Sequence, residues 1–194
     1  TYLSLVAELE PNGPEEAQAL SLIRDWDLHT DTANRNAALG VCILLEEWQA
    51  ERTGSALPDA RETLHTCMES VRDVAGQLNP EWGAVQQHGR GQRTWPAAGG
   101  PDTLRAMYAE QLEDEDDFLT VVAGDGLYYL IEWNAEGEQT IRGTHQYGSQ
   151  MIDESSPHYL DQAESFSQEI MRAPGFYPEN RSATSKRYTV TSAD

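Results

Sequence analysis

The hydrophobic period of the chain changes once, near Asn79, and this limits the fold more than any other feature. Between Pro14 and Gly76 apolar residues recur every three or four positions, the spacing of one helix face. From Asn79 the composition turns to Gly, Pro, Gln and Trp, and later apolar residues come in short runs between turn signals. Helices in one block and strands in the next predict an α+β fold, with residues 1–78 helical and residues 79–194 carrying antiparallel strands and a last helix as part of the same structural unit.

Three helices are expected in the first block, after an apolar helix-like run at Thr1 to Leu9. Pro14 to Asp27 has Pro14 in its first turn, Glu15 and Glu16 near its positive end, and Ala17, Leu20, Ile23 and Trp26 at helical spacing. Asp31 or Thr32 can cap a second helix from Ala33 to about Arg52, which Gly54 ends. Pro58 and Asp59 begin a third, repeating Leu64, Cys67, Met68, Val71 and Val74 until Gly76. The last two form a helical hairpin turning near Ser55. Cys42 lies thirteen residues before Ser55 and Cys67 twelve after it, so the thiols come to one height. A disulfide is geometrically open to them, and two buried free cysteines are the other reading.

In the second block an irregular crossing from Asn79 to Gly100 is expected, followed by weak alternation at Thr103 to Tyr108. Phe118 to Ala123, Leu127 to Trp133 and Gln139 to Thr144 read as three strands of an antiparallel meander, with turns at Gly124-Asp125-Gly126 and Asn134 to Gly137. Leu160 to Arg172 reads as the last helix, Pro174 to Ser185 as a loop and Arg187 to Thr191 as an edge strand. No internal repeat occurs.

The formal net charge of -20 argues against nucleic acid and anionic membranes as partners, because both repel such a surface. A hydrophobic share of 39% is enough for a core, yet no apolar run reaches the length of a membrane span. No secretory leader pattern is present, and the chain begins Thr1-Tyr2-Leu3 rather than with Met, as a fragment or processed subunit would.

An N-terminal threonine can act as a nucleophile with its own amine as base, but the apolar run after Thr1 does not open onto a polar pocket. His145, Asp153, His158 and Asp161 carry ligand atoms without the spacing of a zinc site. His158 and Asp161 are better read as bonding loop backbone and starting the last helix, with Ser155 or Ser156 as cap and Pro157 in the first turn. His29, His65 and His88 are isolated and read as surface or core histidines. Ser149 lacks the Gly-x-Ser-x-Gly elbow, and Gly99-Gly100 and Gly124-Asp125-Gly126 are too short to cradle phosphate. The run Glu113 to Asp117 has the charge of a calcium loop without its spacing and reads as a solvated turn. No catalytic, cofactor-binding or metal-ligating residue is assigned, and no cofactor is expected.

One stretch carries a resemblance. Tyr147 to Gln162, YGSQMIDESSPHYLDQ, resembles the C-terminal end of the penicillin acylase family of N-terminal nucleophile hydrolases, where a Gly-Gln-Ser-type turn precedes a Ser-Pro-His-Tyr-x-Asp-Gln string. LIRDWD from Leu22 to Asp27, Trp82-Gly83, Arg90-Gly91 and WPAAGG from Trp95 to Gly100 stand in the family's order, so the resemblance runs from about Ala19 to Tyr177. Tyr147-Gly148-Ser149 and Ala97-Ala98 depart from its usual residues.

The resemblance implies the last part of an αββα fold. It also implies an enzyme that hydrolyses linear amide C–N bonds, releasing acyl groups from penicillin, an N-acyl-homoserine lactone or a lipopeptide. Its nucleophile is the N-terminal residue of a large subunit, and no position here matches that residue or its oxyanion hole. The segment would be an inactive scaffold, periplasmic or extracellular, associating with the remainder of the acylase or with itself. A stand-alone acidic binding module is the alternative, and a zinc hydrolase the third reading.

Overall fold

Local capping sets the limits of the helices that the sequence marks most clearly. The computed structural model describes residues 1–101, 103–112 and 117–173, and the chain divides into two units, Thr1–Asp125 and Gly126–Asp194. Among the described residues it is a mixed α+β structure with six helices and two sheets.

The first unit opens with α1 (Tyr2–Ala7) and α2 (Pro14–Arg24). Pro14 stands in the first turn of α2, but the face that packs is Glu16, Ala19, Leu20 and Ile23, leaving Ala17 exposed. Helix α3 (Ala37–Thr53) starts four residues later than expected. Asp31 Oδ1 accepts from the Ala33 amide and Asn34 Oδ1 from the Asn36 amide, so side chains hold the first amides in turns instead of a helix. Helix α4 (Ala60–Ala75) follows the sequence expectation at both ends. Asp59 accepts from the Arg61 and Glu62 amides, and Gly76 closes the helix at φ 69°, as Gly54 closes α3 at φ 67°.

Helices α3 and α4 pack as a hairpin crosslinked by a Cys42–Cys67 disulfide with Cα atoms 5.7 Å apart. Val6, Leu20, Leu39, Ile43, Leu64 and Cys67 are fully buried around it. Trp26 lies flat on Gly40, where a Cβ would fall 2.1 Å from the ring.

The segment expected to cross irregularly from Asn79 to Gly100 is instead ordered as α5 (Trp82–Val85), β1 (Gln86–Arg90) and β2 (Arg93–Pro96). Strand β1 has no apolar alternation because its inward positions are polar: Gln86 and His88 are the buried residues. Strands β3 (Met107–Glu110) and β4 (Leu119–Gly124) complete a sheet of order β2-β1-β4-β3, with β1 and β4 parallel and the other pairs antiparallel.

The expected meander is therefore corrected. Strand β4 pairs with β1 and β3, while β5 (Leu127–Trp133) and β6 (Gln139–His145) form a separate antiparallel pair in the second unit. The turn residue Asp125 decides this locally: its amide donates to the Ala106 carbonyl at 2.8 Å and its carboxylate accepts from the Ala106 amide at 3.1 Å. Those bonds tie the end of β4 to β3 before β5 begins. At the β5–β6 turn, Asn134 Oδ1 accepts from the Glu136 and Glu138 amides.

The last helix is also shorter than expected, α6 (Ala163–Ser167) rather than Leu160 to Arg172. The His158 and Tyr159 carbonyls accept from the Gln150 and Gly148 amides, which takes them away from a helix. Glu169, at φ 59°, ends the turn, and Arg172 exchanges backbone hydrogen bonds with Gly143 of β6. The expected loop at Pro174 to Ser185, the edge strand at Arg187 to Thr191 and most of the Glu113 to Asp117 run lie outside the described residues. Among the described residues no helix is long and apolar enough to cross a membrane.

The crosslink gives a first prediction. Replacing both Cys42 and Cys67 by Ser reopens a loop with a sequence separation of 25 and is expected to lower unfolding free energy by about 3 kcal/mol on loop-closure reasoning. Urea unfolding followed by far-UV circular dichroism reads it, and a reducing agent should reproduce the loss in the parent chain alone.

Candidate functional site

In the first unit, a cavity of about 340 Å³ lies where α3 and α4 meet α5, β3 and β4. Val41, Val71, Val74, Trp82, Val85 and Met107 form buried walls. The polar groups among them are already engaged. Gln86 Nε2 donates to the Ala97 and Gly99 carbonyls at 3.0 and 3.1 Å, and Trp82 Nε1 donates to the Gly99 carbonyl at 2.9 Å. The charged residues lining the cavity are three carboxylates, Glu46 of α3, Asp73 of α4 and Glu110 of β3. Glu46 is half-buried and the other two are exposed. The cleft is concave and mostly apolar, and among the described residues no histidine lines it beside the Ser70 hydroxyl.

A second carboxylate site pins α2 to α4. Glu16, buried, accepts from the Asn12 amide at 2.7 Å, contacts His65 Nε2 at 2.7 Å and is paired with Arg61. The Asn12 amide above all, then His65 and Arg61, hold its carboxyl at about 2, well below the ordinary value. A carboxylate held so low donates no proton near neutrality, so Glu16 anchors α2 to α4 and is not itself a general acid. Arg61 and His65 sit four apart on α4, a spacing that puts both on one face. His65 is isolated in the sequence because its acidic partner lies 49 residues away.

In the second unit the Tyr147 to Gln162 stretch closes on itself. The Gly148 amide donates to the Tyr159 carbonyl at 3.1 Å and the Gln150 amide to the His158 carbonyl at 3.0 Å. A Cβ at Gly148 would fall 1.7 Å from the His158 carbonyl oxygen, so no other residue fits there. His158 Nδ1 lies 3.0 Å from Asp161 Oδ2. Asp153 accepts from the Ser155 amide and hydroxyl, which lowers its carboxyl from the usual value. His145 Nε2 meets Gln162 Nε2 at 2.6 Å.

The four residues with ligand atoms are thus placed in three separate contacts, and no group of three or more His, Cys, Asp or Glu suited to a metal occurs among the described residues. Ser155 and Ser156 do not cap the last helix as expected. Ser155 bonds Asp153 and Ser156 Oγ accepts from the His158 amide, closing turns, while α6 starts beyond them at Ala163.

Above this loop's helix the β5–β6 pair has two unlike faces. Tyr128 stacks on Phe166 of α6 with ring centres 5.1 Å apart. On the opposite face, at alternate positions, Leu127, Tyr129, Ile131 and Trp133 remain 51%, 51%, 41% and 65% exposed, while on the Tyr128 face Leu130, beyond the reach of the stack, is 42% exposed. Ile141 pairs with Ile131 and Gly143 with Tyr129 across β6, which extends the apolar stripe.

The other sequence-derived positions are structural. The Thr1 hydroxyl caps α1 by accepting from the Ser4 amide. His29 is exposed and its carbonyl accepts from Trp26 Nε1. His88 is fully buried against Trp95, and burial, with Arg105 nearby, pushes its ring down to about 4, so it stays neutral. Ser149 is exposed beside the Gly148 clasp. The sequence matches no family model.

Glu16 gives a pH prediction. Its folded-state value is depressed to about 2, against about 4.3 in an unfolded chain. Its stabilising contribution is therefore complete above about 4.3 and is lost as pH falls from there towards 2. Unfolding midpoints measured across that window should separate the parent chain from Glu16→Gln at the upper end and converge at the lower.

Proposed function

We propose that this chain is a non-catalytic scaffold segment of a penicillin amidase-like acylase, the C-terminal part of an N-terminal nucleophile hydrolase with an αββα core. The observation that carries the proposal is the open apolar face of β5–β6. Four large side chains at alternate positions of one strand, without a packed layer over them among the described residues while Tyr128 on the other face stacks on α6, are what a sheet lacking its next layer leaves exposed. The order of LIRDWD, Trp82-Gly83, WPAAGG and the YGSQMIDESSPHYLDQ string supports the same reading. The Cys42–Cys67 crosslink suits a periplasmic or extracellular setting.

In this proposal the chemistry belongs to the remainder of the enzyme. An N-terminal nucleophile there attacks the linear amide with its own amine as base, and an oxyanion hole holds the tetrahedral intermediate. The acyl donor would be a penicillin, an N-acyl-homoserine lactone or a lipopeptide. This chain supplies a layer for that core and no reacting group. The carboxylate-lined cleft favours a second reading, an acidic binding module acting without catalysis.

Light scattering and amide hydrolysis together test the proposal. Alone, the chain is expected to self-associate, to bind a hydrophobic dye and to hydrolyse neither penicillin nor an acyl-homoserine lactone. Combined with the polypeptide encoded ahead of Thr1, it should form a stable complex with amidase activity. Trp133→Glu on the open face should weaken that complex by at least about tenfold. A monodisperse monomer that gains no activity would overturn it.

A further inference from the structure

Independently of the acylase reading, we propose that the cleft between α3, α4, α5 and the first sheet is a binding site for a small hydrophobic organic cation, an ammonium group on a compact apolar body. The volume, about 340 Å³, lies within the range of small-molecule sites. Its floor and walls are aliphatic and aromatic, and the polar groups built into them, Gln86 Nε2 and Trp82 Nε1, donate to backbone carbonyls inside the protein. A ligand entering the cleft therefore meets apolar surface and gains by leaving water.

The sign of the charge follows from the mouth. Glu46, Asp73 and Glu110 come from three different elements and are more exposed than the valines, Trp82 and Met107 of the same lining, which places them toward its solvent side. Among the described residues no Lys, Arg or His lines the cleft. Among the described residues none of the three carboxylates is in an ion pair. They are free to face a ligand. An apolar anion of the same size would meet three like charges on a chain of formal charge -20, and a neutral apolar molecule would gain the burial alone. The cation gains both.

Three probes of one length separate these contributions: hexylammonium, hexanol and hexanoate, each titrated into the full chain with methyl-labelled Val and Leu observed by NMR. Hexylammonium is expected to saturate and to shift the methyls of Val41, Leu45, Val71 and Val74, with hexanoate weaker by about tenfold or more. Raising the salt from about 0.05 M to about 0.5 M should narrow that gap, because the mouth carboxylates are solvent-screened. In the combined variant Glu46→Gln, Asp73→Asn, Glu110→Gln the two probes should bind within about threefold of each other, while hexanol binding stays as in the parent chain and reports an intact cleft. Equal binding of hexanoate and hexylammonium to the parent chain would overturn the proposal. So would the absence of any saturable shift, or shifts spread over the acidic surface without the cleft methyls.

Discussion

The crosslinked α3–α4 hairpin is the interaction on which the first unit is built. Its inner face carries Leu39, Ile43, Leu64 and Cys67, all fully buried, and α1 and α2 close on it. Tyr2 of α1 reaches it with its hydroxyl, which bonds the Pro58 carbonyl and Thr63 ahead of and within α4. Glu16 of α2 reaches it through Arg61 and His65. The outer part of the same hairpin supplies Val41, Leu45, Val71 and Val74 to the cleft. A disulfide at this point fixes the spacing of two helices that serve both the core and a concave surface, which is why loosening it is expected to reach further than its own loop.

The second unit rests on a different balance. A two-stranded sheet is marginal by itself and needs packing on at least one side. Tyr128 and Phe166 supply that packing, and the Gly148–Tyr159 and Gln150–His158 bonds hold the loop that leads into α6. On the other face Gln162, Arg172 and Ala173 reach only the Leu127–Tyr129 end, and Ile131 and Trp133 stay exposed. The Tyr147 to Gln162 string thus works as a clasp leading into α6. Its histidine and carboxylates are occupied with one another and with backbone, so its conformation is built for support.

How much was legible in the sequence depended on whether a signal was local. Helix α4 could be read at both ends because Asp59 and Gly76 act on their own neighbours. The hairpin spacing of Cys42 and Cys67 was legible for the same reason, since two regular helices and one turn determine it. Strand β1 was not, because Gln86 and His88 occupy its inward positions and erase the alternation that marks a strand. The start of α3 moved because Asp31 and Asn34 bond nearby amides in turns. The meander failed at Asp125, since alternation shows that a segment is a strand and does not say which strand it pairs with. The cleft was invisible because its residues come from six elements and meet only after folding.

Hydrogen–deuterium exchange of β5 and β6, with and without the polypeptide encoded ahead of Thr1, tests the central claim most directly. A chain that completes a larger layered core should exchange readily at Leu127–Trp133 when alone and gain strong protection there on association, with the open face of Tyr129, Ile131 and Trp133 covered. Unchanged exchange at β5–β6, with any new protection confined to the helices of the first unit, would contradict it.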